Sequence, residues 1–219
     1  MLTVACIYWQ GEFRRREEIY SPEWVGKLKN MVERNLDIPH RFVCLSNVDV
    51  PCERIPLERD WPGYWSKMEL FKPGRFDDRV LYLDLDVVVV DNLEPIVNFP
   101  SLFGIVKAQR PKGLDWKEGK KKIGGYNSSV MVFDPGAGDC LYPEVENIYE
   151  KFWGDQDWIK FKLSNLDTFP EEWVKKLRDL PGGQPTKGLI VALCMLGRAA
   201  PNKNTSAIEK YKWIKDIWK

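Results

Sequence analysis

The sequence predicts an α/β fold with a mixed, mostly parallel central sheet flanked by helices, in a single domain over residues 1–219. Three observations lead there. Short apolar, β-branched runs such as LTVACIYW and RVLYLDLDVVVVD recur along the chain and read as buried strands. Segments with apolar residues at helical spacing alternate with these runs, the pattern of one α/β sheet. The run around VLYL is apolar without alternation, as in a central strand covered on both faces.

The elements follow in order. Residues 2–9 form the first strand. Ser21-Pro22-Glu23 opens a helix, with Ser as N-cap and Pro at the first position. Val25, Leu28, Val32 and Leu36 keep helical spacing behind it, and Pro39 stops it. Residues 41–46 are a second strand. Residues 47–63 are loop, around a short strand at 54–57. A short helix at 65–71 ends at Pro73-Gly74. Strands are expected at 79–83, 103–108 and 126–135. Between the last two, 107–125 is a mobile, lysine-rich loop without apolar periodicity. Helices are expected at 142–153 and 155–163, broken by Gly154. A late buried strand covers 188–196, and a C-terminal amphipathic helix occupies 206–219.

Composition narrows the function. The 219 residues carry a formal net charge of +1, so no bulk field favours nucleic acid or an anionic membrane. Five scattered cysteines, Cys6, Cys44, Cys52, Cys140 and Cys194, form no CxxC pair. That argues against a zinc site or a disulfide framework and for a reducing cytoplasm. The N-terminus lacks the marks of a signal peptide, and no apolar run approaches the about 18 residues of a membrane span. The ten tryptophans suit sugar or base sites, but core filling accounts for them as readily.

RVLYLDLDVVVVD places Asp84 and Asp86 inside an apolar run. A buried carboxylate is costly unless paired. On a continuing strand the two side chains share one face and repel unless a cation lies between them. Mg²⁺ or Mn²⁺ suits carboxylate oxygens and also takes phosphate oxygens. In open α/β sheets the ligand crevice lies beyond the carboxyl ends of the strands, and Asp84 stands where VLYL ends. The alternative is a strand-turn cap, or pairing with a basic residue such as Arg79.

Several blocks, in order, resemble the nucleotide-sugar glycosyltransferases of the GT-A fold, in the glycogenin-like, bacterial galactosyltransferase-like branch. YSPEWVGKLKNMVERNLDIPHRFVCLSN looks like that group's first helix and second strand. WSKMELFKPGRFDDRVLYLDLDVVV looks like its D-x-D block, NSSVMVFDPG like its N-S-S/G-V-x-V segment, and GDQDWI like its D-Q-D helix start. The resemblance implies a Rossmann-like GT-A domain and a metal-dependent transfer from a nucleoside-diphosphate sugar, a UDP-sugar first of all. The acceptor is unidentified: a glycan, small molecule, protein or modified DNA. Retention of anomeric configuration follows from the resemblance alone.

The same resemblance assigns roles. Asp84 and Asp86 hold Mn²⁺ or Mg²⁺ on the donor diphosphate, with Leu85 between them at the donor, and Asp84 also touches the ribose or sugar. Lys67 reaches the donor phosphate or sugar; a solvated helix lysine is its structural alternative. Tyr20 stacks on the nucleobase or, structurally, packs under the first helix. Cys6, Ile7 and Tyr8 line the base pocket. Asn127 and Ser128 face the donor sugar, although an Asn at a strand start is also a common turn residue. Asp155, Gln156 and Asp157 hydrogen-bond the sugar near the reacting carbon, while Asp155 after Gly154 also suits a helix N-cap.

The pattern breaks near the end. Where the group has H-G-x-x-K-P, this chain has Leu196-Gly197-Arg198-Ala199-Ala200-Pro201. Gly197 and Pro201 fit; Leu196 and Ala200 replace the metal-ligating His and the diphosphate Lys. Arg198 is a candidate substitute, since a guanidinium matches phosphate geometry. Cys194, on the strand face of Leu196, is another; the remaining outcomes are a metal held by Asp84, Asp86, the diphosphate and waters, and loss of catalysis with retained binding. The only histidine, His40, reads as a structural residue at a strand entrance. The lysine-rich loop (Lys107, Arg110, Lys112, Lys117, Lys120, Lys121, Lys122) offers an anionic acceptor, a modified DNA base or an acidic glycan, a docking place; its alternative is a solvated loop.

Overall fold

The computed structural model describes residues 1–12, 20–59, 61–108, 115–117, 119–142, 147–194 and 207–219, with backbone alone for 115–117 and 207. The strands in chain order are β1 (Leu2–Tyr8), β2 (His40–Ser46), β3 (Glu53–Pro56), β4 (Val80–Leu83), β5 (Val87–Val89) and β6 (Phe103–Lys107). They continue as β7 (Asp115–Lys117), β8 (Lys120–Lys122), β9 (Tyr126–Phe133), β10 (Asp167–Thr168), β11 (Val174–Lys176) and β12 (Val191–Leu193). A seven-stranded sheet runs β10-β6-β9-β4-β1-β2-β3. Only β9 is antiparallel to its neighbours, so the sheet is mixed and mostly parallel, as the sequence predicts.

The expectation of one sheet needs correcting. The chain turns at Asp84-Leu85-Asp86, so β5 leaves the main sheet and pairs antiparallel with β12, forming a three-stranded sheet with β11. Asp84 and Asp86 therefore do not sit on a continuing strand.

Two apolar layers enclose the main sheet. One holds Leu81, Leu83 and Val132 with the three-stranded sheet and α1 (Pro22–Asn35). α1 buries Val25, Leu28, Met31 and Val32, the stripe a 3.6-residue period produces. Pro22 stands at its first turn as expected; Ser21 is extended but makes no side-chain cap bond. The other layer holds Val80, Tyr82, Met131 and Phe133 with Trp65, Met68 and Phe71. Trp65 and Trp61 are core residues. His40 opens β2, its Nδ1 2.7 Å from the Ile38 carbonyl.

Other elements depart from expectation for identifiable reasons. Residues Gly63–Phe71 form a 3-10 helix, with three residues per turn, so Tyr64 and Lys67 share an edge. Tyr64 donates to the Trp153 carbonyl (2.8 Å). The lysine-rich segment, expected as loop, contains the β7–β8 hairpin. β8 captures the backbone beyond α3 (Ile148–Lys151): Trp153 N donates to Lys121 O (2.8 Å). The expected helix at 142–153 is therefore four residues long where described, behind a 3-10 turn at Asp139–Leu141. The late strand starts only at Val191, because Gly188 turns the chain at φ +83. After α4 (Asp155–Lys162), the C-terminal helix is two pieces, α5 (Ala207–Lys210) and α6 (Lys212–Ile217). They break at Tyr211, which is extended (φ −119, ψ 106) and packs against Gly183.

Candidate active site

The second layer carries a buried polar cluster at the carboxyl end of β4. Lys67, 4% exposed, is its centre. Its Nζ lies 2.9 Å from Asp155 Oδ2 and 3.1 Å from Asp84 Oδ1. It also donates to Ser128 Oγ (3.1 Å) and to the Ser128 carbonyl (3.3 Å), and sits 5.2 Å from the Tyr82 ring centroid. Burial pulls the Lys67 pKa down, but the charges of Asp155 and Asp84 outweigh it and hold the ammonium well above the usual lysine range. Tyr82 OH donates to Asp84 Oδ1 (2.5 Å), and burial, then the Asp84 charge, raises the phenol's pKa.

Each member arrives from a different element. Asp84 follows β4 and is half-buried, its amide bonded to the Ser129 carbonyl (2.8 Å). Ser128 comes from a bulge. β9 pairs with β6 through Ile105↔Met131 and resumes at Val106↔Asn127. Residues 128–130 thus have no β6 partner, and the inward–outward alternation slips by one. Ser128 faces the same layer as Met131 and donates to Asp155 Oδ2 (2.5 Å). Asp155 is the first residue of α4. The N-cap is Gly154, not Asp155; a buried ammonium is the stronger partner, so the carboxylate turns to Lys67 instead of capping.

The remaining candidates lie elsewhere or do other work. Asp86 reaches the opposite layer, where Tyr20 OH donates to its Oδ2 (3.0 Å). Cys194, after β12, is pushed up to about 12 by burial and the Asp86 charge. Tyr20 packs edge-on against Trp24 (5.1 Å) and accepts from Tyr8 OH through its carbonyl (3.3 Å). Cys6 is buried, Ile7 half-buried at the end of β1, and Leu85 is core. Asn127 accepts from Ser129 N (3.0 Å), an Asx turn that shapes the bulge. Gln156 is half-buried beside the cluster. Asp157 is 1% exposed and does not join Lys67. Its Oδ1 accepts from Ile123 N (2.7 Å) and Gly124 N (2.8 Å). Gly197, Arg198, Leu196 and Ala200 lie outside the described residues. Arg79 pairs with Asp134, not with Asp84 or Asp86, and caps the Val97 and Phe99 carbonyls.

Tyr82 was not singled out in the sequence. Its signal is position: two residues before Asp84 on one strand, it shares that aspartate's face.

The donor set suits a hydrated divalent cation. Asp84 and Asp86 are hard, half-buried carboxylates flanking one turn. Among the described residues no group of three His, Cys, Asp or Glu side chains could hold a metal. A cation between them would take no more than these two carboxylates from the described residues, a set that would fit Mg²⁺, which commonly completes its shell with phosphate and water.

No family model matches the chain, and no curated protein matches it. Solved structures do. The galactosyltransferase LgtC, in complex with donor and acceptor sugar analogs, aligns over 98% of this chain and 93% of its own, at 13% identity and TM-score 0.62. The glycosyltransferase GlyE of Streptococcus pneumoniae TIGR4 aligns over 97% and 59%, at 12% identity and TM-score 0.65. The bifunctional glycosyltransferase WbbM, in its apo form, aligns over 87% and 45%, at 14% identity and TM-score 0.56. At these identities the likeness is one of fold. The sheet and its flanking helices form a GT-A-type domain. No helix among the described residues is long and apolar enough to cross a membrane.

Proposed function

We propose that this chain is a metal-dependent glycosyltransferase that takes a nucleoside-diphosphate sugar, a UDP-sugar in the first instance, and transfers the sugar with retention. The observation that carries this is the Lys67–Asp84–Asp155–Ser128 cluster at the carboxyl edge of a GT-A-type sheet. Fold alone does not give a function; the cluster gives the fold a site.

Asp84 and Asp86 would hold Mn²⁺ or Mg²⁺. When bound, the cation supplies Lewis-acid neutralisation of the departing diphosphate. The other work falls to the chain. Lys67 stays protonated and fixes the Asp84 and Asp155 carboxylates in place before substrate arrives, so no reorganisation is needed at reaction. Asp155 and the neighbouring Gln156 face the sugar, where a carboxylate favours positive charge developing at the anomeric carbon. Tyr20 supplies a ring for the base and holds Asp86. Asp157 acts through the backbone, setting the end of the hairpin beside α4.

The test is UDP release from UDP-glucose and UDP-galactose with Mn²⁺. Wild type is expected to turn over, and Asp84→Asn to lose about a hundredfold or more, on the scale of a lost electrostatic contact. A folded protein that neither releases UDP nor binds UDP with Mn²⁺ in calorimetry overturns the proposal. Leu196 and Ala200, where a His and a Lys are expected, favour a second reading: a nucleotide-sugar binder without turnover. UDP binding without UDP release selects it.

A further inference from the structure

The described part of the lysine-rich segment is fastened to the body of the protein. β8 hydrogen-bonds to Trp153 through Lys121 O (2.8 Å), and Lys120 Nζ donates to Tyr149 O (2.7 Å). Just past β8, Asp157 receives the Ile123 and Gly124 amides. The hairpin is thus tied down on both sides of Gly154, next to Asp155.

An aromatic cluster lies against it. Phe152 packs 5.1 Å from both Trp158 and Phe161, and Trp158 stacks on Phe161 at 6.0 Å. Ammoniums sit over these rings: Lys121 is 4.9 Å from the Phe161 centroid and Lys162 is 5.2 Å from that of Trp158. Lys122 is 6.0 Å from the Trp153 ring. None of Lys121, Lys122 and Lys162 has a carboxylate partner among the described residues. Phe161 is 50% exposed. The chain's net charge is only +1, so an anion would be drawn here by a local patch and not by a bulk field.

We propose that the patch is the acceptor subsite and that the acceptor is an anionic oligosaccharide; the assignment rests on the glycosyltransferase reading above. Unpaired ammoniums call for anionic groups. The exposed ring of Phe161 among them suits a sugar face. α4 links patch to site: its first residue is Asp155, and Phe161 lies about 9 Å further along its axis at 1.5 Å per residue. The patch is one short helix and one hairpin long, enough for a few saccharide units. A nucleic-acid strand follows a longer basic groove, and among the described residues the patch extends no further than the hairpin and α4. In the transfer, an acceptor hydroxyl oxygen bonds the anomeric carbon as that carbon's bond to the diphosphate oxygen breaks. The hydroxyl proton passes to the departing diphosphate.

The test is calorimetry with hexagalacturonate, neutral maltohexaose and a thymidine hexanucleotide, run beside UDP with Mn²⁺. Hexagalacturonate is expected to bind about tenfold or more tightly than maltohexaose, and to lose about tenfold in K121Q/K122Q/K162Q. Phe161→Ala is expected to lose about threefold. UDP affinity is expected to stay constant in every variant. Equal binding of the neutral sugar, tighter binding of the oligonucleotide, or indifference to the charge variant overturns the proposal. If hexagalacturonate binds and responds to the variants while UDP does not bind, the donor reading fails and the anionic-saccharide surface stands.

Discussion

Lys67 Nζ lies 2.9 Å from Asp155 Oδ2 and spends its remaining donor capacity on Asp84 and Ser128. A buried lysine thereby acts as an internal cation joining the 3-10 helix, the end of β4 and the head of α4. Removing one partner from such a pair leaves uncompensated charge. Lys67→Met is expected to destabilise the fold by about 3 kcal/mol, the lower part of the range for broken buried pairs because Asp84 keeps partial solvent access. Urea unfolding measures it; a change under about 0.5 kcal/mol, the size of an ordinary surface substitution, means that the ammonium does not hold the cluster.

Alkaline pH should reveal the same burial. Lys67 has its folded-state pKa raised above the ordinary 10.5, so its stabilising contribution is complete below 10.5 and lost only as pH climbs through the raised value. Cys194 is raised from 9.0 to about 12. Its contribution is complete below pH 9.0 and lost as pH rises toward 12. Stability contributed by these two groups is therefore flat up to pH 9.0, with the thiol the first to withdraw. At pH 9 the Cys194 peptide should stay unlabelled by iodoacetamide in native protein and label readily in urea. Equal labelling in both states removes the burial argument.

Asp157 holds two backbone amides at once. Asp157→Ala leaves Ile123 N and Gly124 N without that acceptor, an expected cost of about 2 kcal/mol. Hydrogen exchange localises it: amides 120–124 should lose protection before those of β1. Asp157→Asn keeps one carbonyl oxygen and should cost less. Uniform loss across the sheet contradicts a local clamp.

Gly183 has φ +67, and a Cβ there would lie 2.2 Å from Tyr211 Cε1. Trp213 Nε1 donates to the same residue's carbonyl (2.8 Å). Gly183→Ala is expected to cost about 2 kcal/mol through strain and collision and to loosen α6. Faster exchange at 212–217 with the seven-stranded sheet unchanged is the expected result. An unaltered α6 shows that Tyr211 has room to move.

Elements carried by an apolar run or a helical stripe were legible in the sequence, among them the short β3 and β4, and those without one were not. β1, β2, β6 and α1 announce themselves through apolar runs, a proline at the helix start and a 3.6-residue stripe, and their bounds agree within a residue or so. β10 and β11 are two and three residues long, too short for any period, and the pairing of β11 with β12, which lies inside the expected 188–196 run, comes from tertiary context. At the site, Asp84, Lys67, Ser128 and Asp155 stood out, but not that they bind one another. That depends on the 3-10 helix turning Lys67 inward and on a strand slip whose mark in the sequence is one turn residue, Asn127. Asp155 and Asp157 look equivalent in DQD; only the fold sends one to an ammonium and the other to two amides.

The slip at residues 128–130 divides β9 into two independently registered halves. Residues 131–133 align with β6 and β4 as ordinary sheet. The half before the slip obeys its own count. Shortening the chain there by one residue would rotate Ser128 out of the cluster while leaving the far half seated, so the site can be retuned by length as well as by side chain. The strand works as a spline joint, in which the geometry of the polar cluster and the architecture of the sheet are free to vary separately.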